Sequence, residues 1–215
     1  MKKLLLFKFL ICIFAMNAQD NEGKLAIEKG TWNVGGQISL YTNNNKQESS
    51  TPTETNSFGF NMNPSVSYFL DKNLSVGLTL GYGYNESKNI NGTNENLNFR
   101  NSFSFIPTIK KFFPLSKSLA LSLKGEIGYT YAKSDASSSP IEYIQNNYSA
   151  SLRPGIDFFI TKKLALQANL GVLQYSYSNN KSKNLSVPEI IENKNHNFNF
   201  LLNSSNISFG LSYYM

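Results

Sequence analysis

Apolar and polar residues alternate one by one along most of this 215-residue chain. A period of two places successive side chains on opposite faces, which is the pattern of a β-strand with one apolar face. Eight such runs can be recognised, at 32–40, 58–70, 74–84, 97–109, 119–131, 148–160, 164–172 and 207–215. Beyond the first eighteen residues no stretch keeps the ~3.6-residue period of a helix, so the sequence predicts an all-β protein.

The breaks between these runs come in two sizes that alternate along the chain. Short breaks lie at 71–73, 114–118 and 161–163, and long polar breaks lie at 42–56, 86–95, 134–143 and 179–195. Short turns join antiparallel neighbours, so the alternation predicts an eight-stranded antiparallel up-and-down β-barrel with both termini at the short-turn side. Each short hairpin contains a proline, namely Pro64, Pro107 or Pro154. Because proline lacks the N–H of a strand ladder, a local bulge is expected at each.

The first eighteen residues have the features of a secretory signal peptide. Lys2 and Lys3 precede an apolar stretch that only Lys8 interrupts, and Ala18 supplies a small residue for cleavage. The export signal predicts that the mature chain acts outside the cytoplasm. The predicted segments are a signal peptide at 1–18, a lead-in at 19–30 and a β-barrel at 31–215.

Composition and charge exclude several classes of function. Cys12 is the one cysteine and lies in the signal, where the bulky Ile11 disfavours lipid attachment, so the mature chain has no disulfide or thiol chemistry. The formal charge of +6 falls to +3 without the three signal lysines, and the other basic residues are scattered, which disfavours nucleic acid as a partner. After residue 18 no stretch approaches the ~18 apolar residues of a membrane helix.

Alternation alone leaves the direction of the apolar face open, because a soluble lipocalin-like barrel points it inward and a membrane barrel points it outward. The polar face consists mainly of Ser, Gly, Asn and Thr, whereas a soluble exterior carries many Lys and Glu. Strand parity places the following charges on this face: Arg100, Lys110, Lys124, Glu126, Arg153 and Asp157. Since an unpaired buried charge is costly, we predict that they form an ion network in the bore of a membrane barrel.

Aromatic residues gather at both ends of the runs, as they do at the two interfaces of a membrane barrel. The predicted girdle comprises Tyr82, Tyr84, Tyr129, Tyr131 and Tyr175 at the long-loop ends, and Tyr68, Phe113, Phe158 and Tyr213 near the short-turn ends. The path from Leu74 to Tyr84, at ~3.3 Å per residue and a tilt of ~40°, rises about 25 Å, the height of a lipid-facing band. Strands favour aromatics anyway, but that preference does not explain their position at the run ends.

The signal peptide, the amphipathic runs, the repeated proline–apolar–aromatic hairpin and the ending ISFGLSYYM resemble the small outer-membrane β-barrel family, the OmpX/OmpA-like domain of Gram-negative bacteria. The resemblance covers about residues 30–215 and implies a periplasmic lead-in at 19–30, a transmembrane barrel of the outer membrane at 31–215 and both termini on the periplasmic side. It implies contact with outer-membrane lipids and lipopolysaccharide, and insertion by the barrel assembly machinery, which reads the last strand in that family. The family commonly ends in Phe, whereas this chain ends in Met215.

Catalysis and conduction stay open as alternatives for a barrel of this size. Lipid-modifying barrels use a His with a nearby Ser or acid, but the only histidine, His196, has no serine two residues away. Side chains nearly fill an eight-stranded bore, which disfavours solute passage. We therefore expect no enzymatic activity and no cofactor or metal. The expected role is structural or surface-interacting, such as adhesion or ligand binding by the outer loops, with a lipid-modifying enzyme or a narrow ion channel as alternatives.

Overall fold

The structure is a computed structural model that describes residues 24–47, 53–92, 94–137, 139–184, 190–202 and 208–215. The predicted signal peptide at 1–18 lies outside the described residues. The regular elements are ten β-strands: β1 (Trp32–Gln47), β2 (Thr53–Asp71), β3 (Leu74–Asn91), β4 (Asn94–Pro114), β5 (Leu119–Ala136), β6 (Ser139–Phe159), β7 (Leu164–Asn169), β8 (Gly171–Asn184), β9 (Ile190–Leu202) and β10 (Ser208–Tyr214). No helix in the described ranges has the length and apolar character to cross a bilayer.

All strand pairs are antiparallel, as the alternating breaks predict. Each strand from β1 to β6 pairs with the next one along the chain. β6 then pairs with both β7 and β8, β8 pairs with β9, β7 pairs with β10, and β10 pairs with β1. The pairings therefore return to the strand from which they started, in a single sheet.

The structure has ten strands where the sequence predicts eight, because the seventh run is divided between β7 and β8 and because β9 precedes the eighth run, which corresponds to β10. The seventh run is interrupted at Leu170, whose N–H donates to the carbonyl of Pro154 at 3.0 Å. β9 ends at Leu202, which pairs with Gly171, and β10 begins at Ser208, which pairs with Asn169. The side-chain parity of the sequence changes between Leu202 and Ile207, which predicts a bulge near 203–206, but these residues lie outside the described ones.

The structure has turns at the short breaks of the sequence but strands in most of the long ones. Strands end and begin again at the three short breaks, and Asn73 adopts a φ of 59°, the left-handed conformation that asparagine tolerates in turns. The prediction of long loops is wrong for most of their length, because strands continue far into all four polar segments. Polar residues on both faces give no alternation, yet their backbones still pair, so the side-chain pattern misses these extensions. The sheet thus has a short-turn end and a long-hairpin end.

The bulges expected at the three prolines form at only one of them. The register of the flanking strands is the same before and after Pro64 and Pro107, so the expectation is wrong there. Proline removes one donor from the ladder, but this interrupts the pairing without adding a residue to the strand. Opposite Pro154 the register does shift by one residue, where Leu170 separates β7 from β8.

One edge of the sheet is only partly paired. β1 pairs with β10 over Asn33–Gly36. Beyond Gly36 the described residues of β1 pair with β2 alone, and those of β9 pair with β8 alone. The ring of backbone pairing is therefore continuous at the short-turn end and open between β1 and β9 toward the long-hairpin end.

The apolar face of the sheet is exposed and the polar face is buried. Ile38, Leu40 and Ile127 expose 73%, 72% and 69% of their surface, and Leu166 exposes 43%. The buried polar residues lie on the opposite face: Asn33, Ser75, Ser122, Ser151, Asp157 and Ser212. A water-soluble sheet protein has the reverse arrangement, so this burial pattern is that of a sheet whose outer surface contacts hydrocarbon.

Candidate functional site: a polar interior closed at the short-turn end

The polar face is the concave face of the sheet. Three pairs of side chains meet across an intervening strand: Tyr41 with Asn85 (2.6 Å), Arg100 with Gln145, and Lys110 with Asp157 (2.6 Å). Alternate strands are about 10 Å apart in a flat sheet, so such contacts require strong curvature toward these side chains. The Tyr41 ring lies over Gly59, where a Cβ atom would collide with it. Glycine at this position therefore makes room for the first of these bridges.

Glu126 is the centre of a group of ion pairs on the concave face. Its carboxylate accepts hydrogen bonds from Lys124 at 2.8 Å and from Arg153 at 2.6 Å, and Ser151 donates to the same carboxylate at 3.0 Å. Three of the residues predicted for the bore network thus lie in direct contact. Because Glu126 is largely buried, the two cations and the hydroxyl replace the hydration that its carboxylate loses.

Asp157 forms a second ion pair, with Lys110. The Asp157 side chain is 1% exposed and the Lys110 side chain 13% exposed. The Lys110 ammonium group also lies 4.5 Å from the centre of the Phe112 ring, in cation–π contact. Lys110 stands beside Lys124 in the pairing of β4 with β5, so the two ion pairs lie at the same level of the sheet.

Arg100 does not join these ion pairs, although the sequence analysis places it with them. It lies ten residues along β4 from Lys110, toward the long-hairpin end. Its neighbours on β5 and β6 are Ser134 and Gln145, both uncharged. Strand parity assigns a residue to a face of the sheet but does not fix its height along the strand axis relative to other charges.

An apolar cluster, which we call the floor cluster, fills the concave side at the short-turn end, below the ion pairs. Its members are Ile27, Phe69, Phe112, Ala120, Phe159, Ala165 and Tyr214, with Leu25 packed against them. Rings from β2, β4, β6 and β10 meet here, at centroid distances from 5.1 to 6.1 Å. The sequence analysis missed this cluster, although pairs of adjacent aromatic residues near the short turns, at 68–69, 112–113, 158–159 and 213–214, indicate it. Because side chains alternate between the two faces of a strand, one ring of each pair must point to the concave face.

The lead-in segment completes the floor cluster. Ile27 is 5% exposed, and its N–H donates to the Asn73 side-chain oxygen at 2.9 Å while its carbonyl accepts from the Asn73 N–H at 3.0 Å. The N–H of Leu25 donates to the carbonyl of Ser116 at 2.9 Å. The lead-in therefore crosses from the β2–β3 turn to the β4–β5 turn and closes this end of the concave space.

The residues predicted for the aromatic girdle lie near both ends of the apolar outer face. Tyr129, Tyr175, Phe158 and Tyr213 are exposed, Tyr68, Tyr82, Tyr84 and Tyr131 are half-buried, and Phe113 is buried. Ring contacts join neighbours on adjacent strands, as between Tyr129 and Tyr148 at 5.1 Å. The Tyr82 hydroxyl donates to the Asn101 side chain at 2.9 Å, which gives this outward-facing amide a partner.

Each long hairpin carries a cross-strand Lys–Glu ion pair. The four pairs are Lys46–Glu54 (3.2 Å), Lys88–Glu95 (2.8 Å), Lys133–Glu142 (2.6 Å) and Lys181–Glu192 (2.7 Å). The pairs lie beyond the apolar bands, and all of their residues except Lys133 belong to the long polar breaks of the sequence. Opposite charges that face each other across a strand pair stabilise the register, so these pairs help to hold the polar extensions in hairpin form.

Hydrogen bonds and these ion pairs lower the carboxyl pKa in two of the hairpins. A hydrogen bond from Asn56, followed by that from Lys46, holds the pKa of Glu54 below its ordinary value. A hydrogen bond from Lys181 and its positive charge do the same to the pKa of Glu192. A lowered folded-state pKa means that the stabilisation is present above the unfolded pKa and is lost as the pH falls through the folded pKa.

We expect Asn56→Ala to raise the pKa of Glu54 and Lys181→Gln to raise the pKa of Glu192. Carboxyl ¹³C NMR titration of the protein in micelles measures both values. Each substitution serves as the control for the other, because the two hairpins are separate and each variant should leave the other carboxyl unchanged. Titration of either glutamate at the same pH in the variant and the unmodified protein would contradict the role given to its partner.

His196 lies outside the concave space. Its Nδ1 is 2.7 Å from the Tyr175 hydroxyl, and its ring is 4.9 Å from that of Tyr177, in an exposed cluster on β8 and β9. The described residues place no serine or carboxylate in hydrogen-bond contact with it. They also contain no group of three His, Cys, Asp or Glu side chains that could hold a metal ion.

Comparison with known proteins finds a family match and similar solved structures. Residues 7–214 match the family described as outer membrane protein beta-barrel domain. The outer membrane protein OprG from Pseudomonas aeruginosa has a similar structure, with a TM-score of 0.55, 10% sequence identity, and coverage of 87% of this chain and 97% of OprG. At that identity the likeness concerns the fold alone. Curated protein sequences give no match.

Proposed function

Because the chain belongs to the outer membrane protein beta-barrel domain family, matched over residues 7–214, we propose that it is a closed-floor barrel that acts at the cell surface. The protein is an outer-membrane protein. Within that family, the proposal is a structural or surface-interaction role carried by the long hairpins, without passage of solutes through the bore. The observation that carries it is the floor cluster together with the ion pairs above it.

The ten strands are proposed to act as eight membrane crossings. β7 and β8 run in succession along β6, and β9 and β10 are divided opposite the same residue, Leu170. Each divided pair then makes one crossing of the bilayer. With eight crossings, both chain ends and the three short turns lie on the periplasmic side, and the four long hairpins lie outside the cell.

Closure of the bore supports a role other than solute passage. The floor cluster contains bulky rings from four strands and the inserted side chain of Ile27. Above it, Lys110, Asp157, Glu126 and Arg153 occupy the concave space in paired contacts. A solute would have to break both layers, each of which is stabilised by burial or by charge pairing. The described residues of the long-hairpin end form no comparable apolar cluster, which supports the proposal that ligands reach the concave space from outside.

The outer surface supports proposed contacts with outer-membrane lipids and lipopolysaccharide. Exposed aliphatic side chains lie between two zones of aromatics, whose rings suit the boundary between hydrocarbon and polar headgroups. Insertion by the barrel assembly machinery is part of the same proposal. A lipid-modifying activity receives less support, because the described contacts of His196 are with tyrosines.

Heat-modifiable migration, outer-membrane fractionation and planar-bilayer conductance together test this proposal. We expect the unboiled protein to migrate differently from the boiled protein, to fractionate with the outer membrane, and to give no stepwise conductance. The reason is that a closed hydrogen-bonded sheet resists detergent at room temperature while its floor blocks ions. Migration that boiling does not change would contradict the barrel, and regular conductance steps would contradict the closed floor.

A further inference from the structure

A small cavity lies at the long-hairpin end of the concave face, well above the ion pairs. It has a volume of about 310 Å³, and its lining includes Arg100, Ser134, Tyr143, Gln145 and Asn180. These residues come from β4, β5, β6 and β8 and, by alternation along their strands, all point to the polar face. The volume is at the lower end of the about 300–1,000 Å³ range of small-molecule sites.

The lining of this cavity includes two cations, Arg100 and Lys181. Lys181 pairs with Glu192 at 2.7 Å, whereas the described partners of the Arg100 guanidinium are neutral oxygens. Nη2 donates to the side-chain oxygen of Gln145, and Nη1 donates to the Ser134 hydroxyl at 3.5 Å. Within the described residues, no carboxylate forms an ion pair with Arg100. The nearby acids Asp135 and Glu142 pair instead with Lys133.

This arrangement differs from that of the other arginine on the same face. Arg153 pairs with Glu126 at 2.6 Å, which neutralises it within the protein. Arg100 has five N–H donors and keeps its charge at any physiological pH, so after binding Gln145 and Ser134 it still has donors for an anion. Gln145 and Ser134 also hold the guanidinium in place, which lowers the ordering cost when a ligand binds.

We propose that this cavity binds an acidic sugar that bears one carboxylate, of the uronic acid type, presented from outside the cell. Arg100 takes the carboxylate through paired N–H donors, as arginine does with planar anions. The amides of Gln145 and Asn180 and the hydroxyls of Ser134 and Tyr143 match the ring hydroxyls of a sugar. Because Glu192 already pairs with Lys181, the charge of Arg100 is left to balance a single negative charge, which favours a carboxylate over a doubly charged phosphate.

This inference rests on the proposed placement of the long hairpins outside the cell. It names acidic sugars as the class of ligand for the proposed surface-interaction role.

Binding is tested by isothermal titration calorimetry of the full chain refolded in micelles, with glucuronate, glucose, glucose 6-phosphate and acetate as probes. Folding is checked first by heat-modifiable migration, so loss of the barrel and loss of the site give different results.

We expect glucuronate to bind once per chain, with glucose and acetate each weaker by about tenfold or more, because each lacks one half of the recognised groups. Arg100→Gln is expected to weaken glucuronate binding by about tenfold or more, since it removes the charge and keeps an amide of similar shape. Lys46→Gln is the matched control. It removes one cation from the separate hairpin of β1 and β2 and should leave binding unchanged.

Three results would overturn the proposal in a protein that migrates as a folded barrel. The first is no saturable heat with glucuronate at millimolar concentration, and the second is unchanged binding by Arg100→Gln. The third is acetate or glucose 6-phosphate binding as tightly as glucuronate, which would make the cavity a general anion site or a phosphate site.

Discussion

Lys110→Met should lower the free energy of unfolding by about 3–5 kcal/mol, because it leaves the buried carboxylate of Asp157 without its cation. Methionine keeps much of the volume of the lysine stem, so the effect reports the lost charge more than a cavity. Asp157 has little alternative solvation, since its side chain is 1% exposed and its Oδ2 atom has no hydrogen-bond partner among the described residues. Urea unfolding in lipid vesicles, followed by the fluorescence of Trp32, measures the change.

The double variant Lys110→Met with Asp157→Leu is the control for this prediction. Removing both charges removes the desolvation cost together with the attraction, so most of the lost stability should return. The effects of the two substitutions on the free energy of unfolding could instead add. A double variant that is less stable than Lys110→Met by the full effect of Asp157→Leu alone would contradict the direct pairing of these two side chains.

Ile127→Arg is expected to destabilise the protein by about 2–4 kcal/mol in vesicles, the cost of a cation near the middle of the lipid-facing band. Ile127 exposes 69% of its surface and lies between Leu119 and Tyr131 on β5, close to the centre of the apolar stretch. On a surface that faces water the same change would have almost no cost. The substitution therefore separates a lipid-facing surface from a water-facing one, and reversible urea unfolding measures it.

Leu115→Arg provides the matched control, because Leu115 is also exposed, at 39%, but lies in the polar turn between β4 and β5. It should change the free energy of unfolding by less than about 0.5 kcal/mol. Equal effects of the two arginines would contradict the assignment of the Ile127 face to hydrocarbon, as would a neutral Ile127→Arg.

Much of the sheet follows from side-chain alternation. The period of two predicts an all-β antiparallel protein, and the short breaks predict three tight turns that the structure has at 71–74, 114–119 and 159–164. The hairpin extensions are not predictable in the same way. Their residues are polar on both faces, so pairing there depends on the backbone and on contacts such as Lys46–Glu54, which alternation does not encode.

The candidate sites show a similar division. The sequence places Lys124, Glu126 and Arg153 on one face, and the structure brings them into contact. It also places Arg100 on that face, but the distance along β4 puts this residue in a separate cavity, away from these ion pairs. Side-chain alternation tells only on which face of the sheet a residue lies. The height of the residue along the strand axis and its neighbours across an intervening strand depend on the register and curvature of the whole sheet.

The sequence by itself determined the all-β class, the apolar and polar faces of the strands and the order of short and long connections. Each of these features depends on neighbours within a few residues. The tertiary structure alone decided that Phe69, Phe112, Phe159 and Tyr214 meet under the ion pairs, with Ile27 closing the end. These residues are far apart in the chain. Only the curvature of the paired strands brings their side chains to one place.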